Sequence, residues 1–373
     1  MEIRTLTGLR GYAALWVLLF HYTSNVQGDG VLLAIARQGI CGLTVFFVLS
    51  GFILAHVYTE RFSQGLDRAS YLEFLRARFA RVYPVHFITL LAWLVLIPCQ
   101  PADTALAFVL NLGLVQSWGF INDLNWNQPS WSVSVELFAY LLFPFLLTLA
   151  LRGGWLVRIG LFAATCWAVW TLPYSRLVVP LVQQMGWSTT GLIFLYGLSL
   201  FQWLFIFCLG VFVQPFAHFA LSRVSRSWLW DGIFLAGVGL FGLFCADPSQ
   251  LWIAAPAAVL VTFGLYSDKG LGRALCGNPV ALFLGRISYS LYLTHIMLMS
   301  VWPLYLGLTS PPLLTAQLPL AFAVATIVHF AFEKPARDWL RHAGRRHHKA
   351  VPFARSVNHD TQALSTTSDA VRP

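Results

Sequence analysis

Long apolar runs recur along almost the whole chain and are separated by short polar or glycine-containing stretches. Most of them approach the roughly 20 residues that an α-helix needs to cross a hydrocarbon core of about 30 Å. The pattern predicts an all-α integral membrane protein, a polytopic bundle of about ten transmembrane helices. The candidate segments are residues 9–27, 39–58, 82–99, 104–118, 132–151, 156–173, 191–214, 228–245, 250–266, 287–306 and 313–333.

The fourth candidate, TALAFVLNLGLVQSW, differs from the other ten. It is short, contains Asn111 and Gln116, and leads into a polar loop rich in tryptophan. These features are typical of a segment that dips into the bilayer without crossing it. We therefore predict ten spans rather than eleven.

The distribution of basic residues supports ten spans. Lys and Arg concentrate in cytoplasmic loops. A ten-span threading with both termini in the cytoplasm places 22 of the 24 basic residues there and leaves Arg37 and Arg176 outside. The net charge of +9 then follows one face of a lipid bilayer, which argues against nucleic acid as a partner. We predict a multi-pass protein of the inner (plasma) membrane with cytoplasmic termini.

The composition agrees with a membrane protein. Hydrophobic residues make up 58% of the 373 residues and charged residues 10%, far from the mix of a soluble domain. The six cysteines lie in or beside apolar runs without paired spacing, so we expect no metal site, redox site or disulfide. We expect one membrane domain, residues 1–340, and a basic, polar, disordered cytoplasmic tail, residues 341–373.

Two ionisable side chains interrupt the first apolar run, GLRGYAALWVLLFHY. Such groups at membrane depth are costly and are candidates for function. Arg10 and His21 are about three helical turns apart, so they share a helix face and lie about 16 Å apart along the axis. We expect both to look into one cavity. The simpler alternative is an arginine that reaches the interface and a histidine that makes one interhelical hydrogen bond.

The stretch PSWSVSVELFAYLLFP places a carboxylate one turn into the fifth span. Ser132 and Tyr140 lie four residues to either side of Glu136 and share its helix face. The carboxylate could orient or deprotonate an imidazole. It could equally be an acidic residue that is favoured by the positive end of the helix dipole.

Two further stretches carry polar groups at helical spacing. In YLEFLRARFARVYPVHF, Arg78 and Arg81 lie three residues apart, and guanidinium pairs suit bidentate capture of phosphate. In RISYSLYLTHIMLMS, Ser288, Tyr292 and His295 form a polar stripe. The alternatives are ordinary positive-inside charge for the arginines and interhelical hydrogen bonding for the stripe.

Taken together, these stretches resemble the membrane O-acyltransferase family called acyltransferase 3, over about residues 5–340. The resemblance depends on several motifs in order. They are GLRGYAALWVLLFHY, VFFVLSGFIL, RFARVYP, NLGLVQSW, PSWSVSVELFAYLLFP, GRISYSLYLTHI and FEKPAR.

The resemblance implies about ten helices and the transfer of an acyl group, usually acetyl, from a coenzyme A thioester. The acceptor would be a hydroxyl of an envelope glycan, a lipid-linked sugar or a small molecule. His21 and Glu136 match the family's catalytic positions, and the acyl-CoA site would use Arg10, Arg78 and Arg81. Supporting or substrate-binding positions would be Trp131, Ser132, Tyr292 and His295, while Glu333 matches a position whose role stays open.

Three function classes remain open at the level of sequence. In an acyltransferase, the imidazole of His21 would act either as a base or as the group that carries the acyl. A secondary transporter could use the buried His and Glu as a proton relay, although no inverted repeat is visible. A non-catalytic scaffold that binds glycan or lipid is the third class.

The predicted threading also suggests where each substrate would enter. Arg10, Arg78 and Arg81 lie near the cytoplasmic face, where acyl-CoA is found. The loop GFINDLNWNQPSW lies on the other face and has aromatic and amide side chains that suit a sugar acceptor. Tryptophans of an interfacial belt would explain part of this composition equally well.

Overall fold

The computed structural model describes residues 2–24, 26–121, 125–171, 198–246, 253–306 and 314–345. Within these ranges the chain forms α-helices and one π-helical turn, and no β-strand. The helices are α1 (Arg4–Thr23), α2 (Val31–Arg37), α3 (Cys41–Ser63), α4 (Arg68–Leu96), α5 (Ala105–Leu112), α6 (Ser130–Arg152), α7 (Gly154–Thr171), α8 (Leu198–Arg223), α9 (Ser227–Ala246), α10 (Ala254–Leu265), α11 (Gly270–Cys276), α12 (Pro279–Leu306), α13 (Leu314–Val328) and α14 (Lys334–Arg345), with the π-helical turn (His329–Glu333) between α13 and α14.

Helices occupy most of the described part of each of the ten predicted spans. Eight stretches of the described chain are helical, long and apolar enough to cross a membrane, namely α3, α4, α6, α7, most of α8, α9, most of α12, and Ala316–Arg341, which runs through the π-helical turn. The other two spans are α1, in which Arg10 and His21 reduce the hydropathy, and α10, which has 12 residues. The prediction of an all-α, polytopic membrane protein is confirmed.

The fourth predicted segment does not form a span. Its helix, α5, has 8 residues and rises about 12 Å, well short of the hydrocarbon core. The chain turns after α5 at Leu114, whose φ of 55° is left-handed. Trp118 Nε1 then donates to the carbonyl oxygen of Ser134 at 3.1 Å. The segment therefore packs against the start of α6.

α4 is longer at its start than the predicted span of residues 82–99. A capping box sets its beginning, because the Asp67 carboxylate accepts from the Ser70 N–H at 2.6 Å and the Ser70 hydroxyl pairs with the Asp67 backbone. The helix then continues through Pro84. Arg78 and Arg81 consequently lie inside one continuous helix.

The last described helix passes the expected boundary between membrane domain and tail. α14 continues to Arg345, whereas the tail was expected to begin at residue 341. The remainder of that predicted tail, residues 346–373, lies outside the described residues.

Close packing of α1 on α12 sets the height of both helices. A Cβ added at Gly11 would lie 2.6 Å from the backbone nitrogen of Gly285, so the two backbones touch at this level, as small residues allow in membrane bundles. Arg4 Nη2 donates to the carbonyl oxygen of Gly277 at 3.3 Å, which shows that both helices start at the same end. His21 and His295 each follow their glycine by ten residues, so the two imidazoles arrive at the same level.

Candidate active site

A polar cavity lies between α1, α3, α4, α6 and α12. Charged and hydroxyl side chains from different helices face it, in keeping with the expectation that intramembrane ionisable groups turn toward a bundle interior. The polar lining residues are Arg10, Ser50, Arg78, Arg81, Ser132, Glu136, Tyr140, Ser288, Tyr289 and Tyr292. Six of the nine predicted site residues therefore meet in one place.

Arg10 and Arg78 bring guanidinium groups to the cavity that the protein leaves largely unpaired. Arg10 makes no hydrogen bond or ion pair with the part of the chain that the structure describes, and Arg78 Nε is buried without a hydrogen-bond partner there. The Arg78 guanidinium lies over the rings of Tyr58 and Phe74, at 5.8 and 6.0 Å from their centroids. Both groups have N–H donors to offer an anion.

Arg81 differs because the protein supplies its counter-charge. Arg81 forms an ion pair with Glu333, whose side chain is 1% exposed. The same carboxylate accepts from Ser290 at 2.7 Å and lies 2.9 Å from His329 Nδ1, with Arg337 Nη1 at 3.5 Å. Glu333 therefore holds Arg81 against the turn that joins α13 to α14, a role that the sequence left open.

Glu136 is the one acidic residue on the cavity wall among the residues that the structure describes. Ser50 Oγ donates to Glu136 Oε1 at 2.8 Å, and the Tyr140 hydroxyl donates to the same oxygen. With three arginines and one carboxylate on its wall, the cavity carries a net positive charge and suits an anionic ligand. Ser50 was not foreseen, although its place in the motif VFFVLSGFIL was a signal.

The two histidines lie next to each other and outside the lining of this cavity. His295 Nε2 is 3.1 Å from His21 Nδ1, and His21 Nδ1 is also 3.0 Å from the carbonyl oxygen of Val17. His295 is 1% exposed, whereas His21 is only partly buried. The imidazole of His21 is thus the accessible member of the pair.

The expectation that Arg10 and His21 look into one cavity is not met. Arg10 lines the cavity, and His21 does not. The reason is distance, since about 16 Å along α1 carries His21 past the cavity. Tyr292 connects the two regions, because it lines the cavity and its ring centroid lies 5.8 Å from that of His295.

Two supporting positions occupy different environments. Ser132 Oγ and the Tyr292 hydroxyl are 2.7 Å apart on the cavity wall, and the Tyr292 hydroxyl also donates to the carbonyl oxygen of Pro129 at 3.1 Å. The indole of Trp131 instead packs 5.7 Å from that of Trp203 and does not line the cavity. No group of three or more metal-ligating side chains is found among the described residues.

Comparison with known proteins points to one kind of enzyme. A family model described as an acyltransferase domain matches residues 3–333. Acyltransferase MdmB of Streptomyces mycarofaciens is 30% identical, over 93% of this chain and 94% of its own length.

Two longer proteins show the same similarity at lower identity. Peptidoglycan O-acetyltransferase OatA of Listeria monocytogenes is 22% identical over 90% of this chain and 56% of its own length. O-acetyltransferase OatA of Staphylococcus aureus is 23% identical over 78% of this chain and 49% of its own length. The chain thus spans about half the length of these two relatives. No solved structure matches the chain.

Proposed function

This chain belongs to the acyltransferase 3 family of membrane O-acyltransferases, and we propose that it transfers an acyl group, acetyl foremost, from acyl-CoA to a hydroxyl group. The acceptor is a carbohydrate of the cell envelope, a lipid-linked sugar or a small molecule. Relatives named as O-acetyltransferases, one of them for peptidoglycan, support a carbohydrate. The relatives bear acyltransferase names, so a transporter with a His and Glu proton relay has less support.

The observation that carries the acyl-CoA proposal is the presence on the cavity wall of two guanidinium groups, Arg10 and Arg78, that have no acidic partner within the part of the chain that the structure describes. Coenzyme A is a polyanion, and its phosphates accept charge-assisted hydrogen bonds from arginine. The cavity offers a net positive wall for these phosphates. Arg81 contributes charge to the same wall while it remains paired with Glu333.

The transfer itself is proposed at His21. In direct transfer, His21 removes the proton of the acceptor hydroxyl, the acceptor oxygen attacks the thioester carbonyl carbon, the carbon–sulfur bond breaks, and the thiolate of coenzyme A leaves and takes up that proton. In the two-step route, the His21 imidazole attacks the thioester carbonyl carbon and the thiolate leaves with the imidazole proton; the acceptor hydroxyl then attacks the acyl-imidazole, the carbon–nitrogen bond breaks, and its proton returns to the imidazole. The flexible pantetheine arm of the donor bridges the distance from the arginines to His21, past Tyr292.

Glu136 is proposed to act in the cavity, where the donor binds. Its carboxylate lines the same cavity as Arg10 and is fixed by Ser50 and Tyr140. In that position it orients the arginine and the bound donor, and it can accept a proton from a group that enters the cavity. Ser132, Tyr292 and His295 support the acceptor side.

A transfer assay in sealed vesicles of known orientation tests this proposal. Acetyl-CoA labelled in the acetyl group is supplied on the face where α1 begins, and envelope glycans and lipid-linked sugars are supplied on either face. We expect labelled ester on an acceptor that is present only on the opposite face. Label that appears only when both substrates share one face would overturn the cross-membrane arrangement. No labelled acceptor of any class would overturn the enzyme proposal.

A further inference from the structure

We propose that His295 is a positioning residue that holds the imidazole of His21 with its proton on Nδ1 and its lone pair on Nε2. This inference rests on the proposed function, in which His21 performs the transfer. It assigns a role to the buried histidine of the pair, whose neighbours leave only one arrangement of protons.

The first step concerns the ring of His295. Its Nδ1 lies 2.6 Å from the carbonyl oxygen of Tyr292. A carbonyl oxygen can only accept, so this nitrogen carries a proton, and in a neutral imidazole the other nitrogen is then an acceptor. A cationic ring is disfavoured at this place, because His295 is 1% exposed and makes no ion pair with the described residues. The lone pair of His295 Nε2 therefore faces His21.

The second step follows for the ring of His21. Its Nδ1 has two neighbours, the Val17 carbonyl oxygen at 3.0 Å and His295 Nε2 at 3.1 Å. Both neighbours are acceptors, so the proton of His21 lies on Nδ1 and is shared between them. Nε2, on the other side of the ring, has no hydrogen-bond partner among the described residues. It is the nitrogen with a free lone pair, as either a base or a nucleophile requires.

The third step explains why the carbonyl of Val17 is not sufficient alone. That bond runs from residue i to i−4 within α1 and competes with the helix's own hydrogen bond to the same oxygen. His295 reaches His21 from α12, at the level set by the contact of Gly11 with Gly285. A bond between two packed helices restricts the ring's rotation as well as its tautomer. In other enzymes, loss of the group that holds a catalytic histidine in the correct tautomer lowers turnover by about 10⁴.

The tautomer can be measured without any substrate. The full chain, labelled with ¹⁵N in its histidine rings and placed in lipid nanodiscs, gives one pair of ring nitrogen signals for His21, identified by their loss in His21→Gln. Above neutral pH we expect Nδ1 at the shift of a protonated nitrogen and Nε2 at that of an unprotonated one. In His295→Phe we expect a mixture of tautomers. A proton on Nε2 of His21 in the unmodified protein, or no change in His295→Phe, would overturn the inference.

The kinetic test separates positioning from packing. The probe is release of coenzyme A from acetyl-CoA, with N-acetylglucosamine oligomers or water as acceptor. We expect His295→Phe to lower kcat about 10²-fold to 10⁴-fold with KM for acetyl-CoA unchanged. His295→Gln should recover most of the loss, because Gln Oε1 can accept from His21 Nδ1.

The controls keep the inference distinct from the proposed function. His218→Phe removes an imidazole that lies 3.3 Å from the Tyr266 hydroxyl, away from the site, and should leave kcat unchanged. An equal loss of kcat in His295→Phe and His295→Gln would show that His295 only packs against His21 and would overturn the inference. If the unmodified protein releases no coenzyme A, the proposed function fails, whereas the nitrogen spectrum still decides the tautomer.

Discussion

The charged residues of the cavity differ in their partners, and these partners indicate which residues are available to bind a ligand. Arg10 and Arg78 have no hydrogen-bond acceptor among the described residues, Arg81 is held by Glu333, and Glu136 is held by two hydroxyl groups. Because a half-buried guanidinium without a counter-charge is costly inside a membrane bundle, these two groups point to a ligand that pairs with them. The residues that contact a donor are thus separable from those that only shape the wall.

Arg78→Ala should weaken acyl-CoA binding with little effect on the fold. Charge-assisted hydrogen bonds are worth roughly 1.5 to 3 kcal/mol each, so we expect Kd to rise by at least about tenfold. Arg78→Lys should recover only part of the affinity, because an ammonium cannot form the guanidinium fork. Equilibrium binding of acetyl-CoA measures both. Arg76→Ala is the control, since Arg76 is exposed and does not line the cavity. Equal effects of Arg76→Ala and Arg78→Ala would contradict the assignment.

His21→Ala should abolish turnover in a folded protein. Removal of a general base typically costs about 10² to 10⁴ in rate, and removal of an acyl carrier costs no less. Release of coenzyme A from acetyl-CoA gives the rate, and thermal unfolding in detergent shows whether the variant is folded. Turnover near that of the unmodified protein would mean that His21 only packs against His295.

At the scale of the helices, contacts between helices decide which side chains can meet. α1 lies against α12 through glycines, and the π-helical turn after α13 is tied to α4 through the Glu333 carboxylate. Neither contact involves neighbours in sequence. Both bring a functional side chain to its place, His21 in the first case and Arg81 in the second.

Gly285→Ala should lower activity by separating α1 from α12. A Cβ at this position would lie 2.0 Å from the carbonyl oxygen of Thr7, so one helix must move and the bond between His21 and His295 must lengthen. We expect a loss of kcat together with a lower unfolding temperature. Gly239→Ala is the matched control, because a Cβ there meets nothing within 4 Å. Unchanged activity in Gly285→Ala would show that the contact is not needed.

Glu333→Gln should destabilise the fold at the turn between α13 and α14. The change leaves Arg81 and Arg337 without their shared carboxylate, and breaking a buried ion pair costs about 3 to 5 kcal/mol. The unfolding temperature should therefore fall. Glu73→Gln is the control, because Glu73 pairs with Arg61 in an exposed position, where a pair is worth about 0 to 1 kcal/mol. A similar effect from both variants would contradict this role of Glu333.

The whole molecule adds the question of orientation in the membrane. The predicted ten spans would place both termini on one side of the membrane, and the bias of basic residues predicts that this side is the cytoplasm. Reporter fusions at Gly153 and after Arg341 should therefore both report a cytoplasmic location. If the fusion at Gly153 reports the opposite side, the segment 104–118 crosses the membrane and the predicted topology is wrong.

The hydrophobic pattern of the sequence was sufficient to locate the helices, but it did not predict the residues at which they begin and end. Hydropathy identifies segments that are apolar enough for lipid, and each of the ten predicted spans contains a helix in its described part. It gives no signal for a polar start such as the capping box of Asp67 and Ser70, which is why α4 begins earlier than predicted. Hydropathy decides which part of a helix can lie in lipid. The residue at which the helix begins or ends depends on capping hydrogen bonds as well, which hydropathy does not measure.

By itself the sequence determined the class of protein and the residues worth examining, because each buried charge is costly and therefore conspicuous in an apolar chain. Tertiary structure alone decided which of these residues meet. Spacing along α1 put Arg10 and His21 on one face, yet only packing shows that Arg10 joins Glu136 in the cavity while His21 joins His295 beyond it. Such partners come from helices far apart in sequence, and their meeting depends on the fit of whole helix surfaces, which no local pattern encodes.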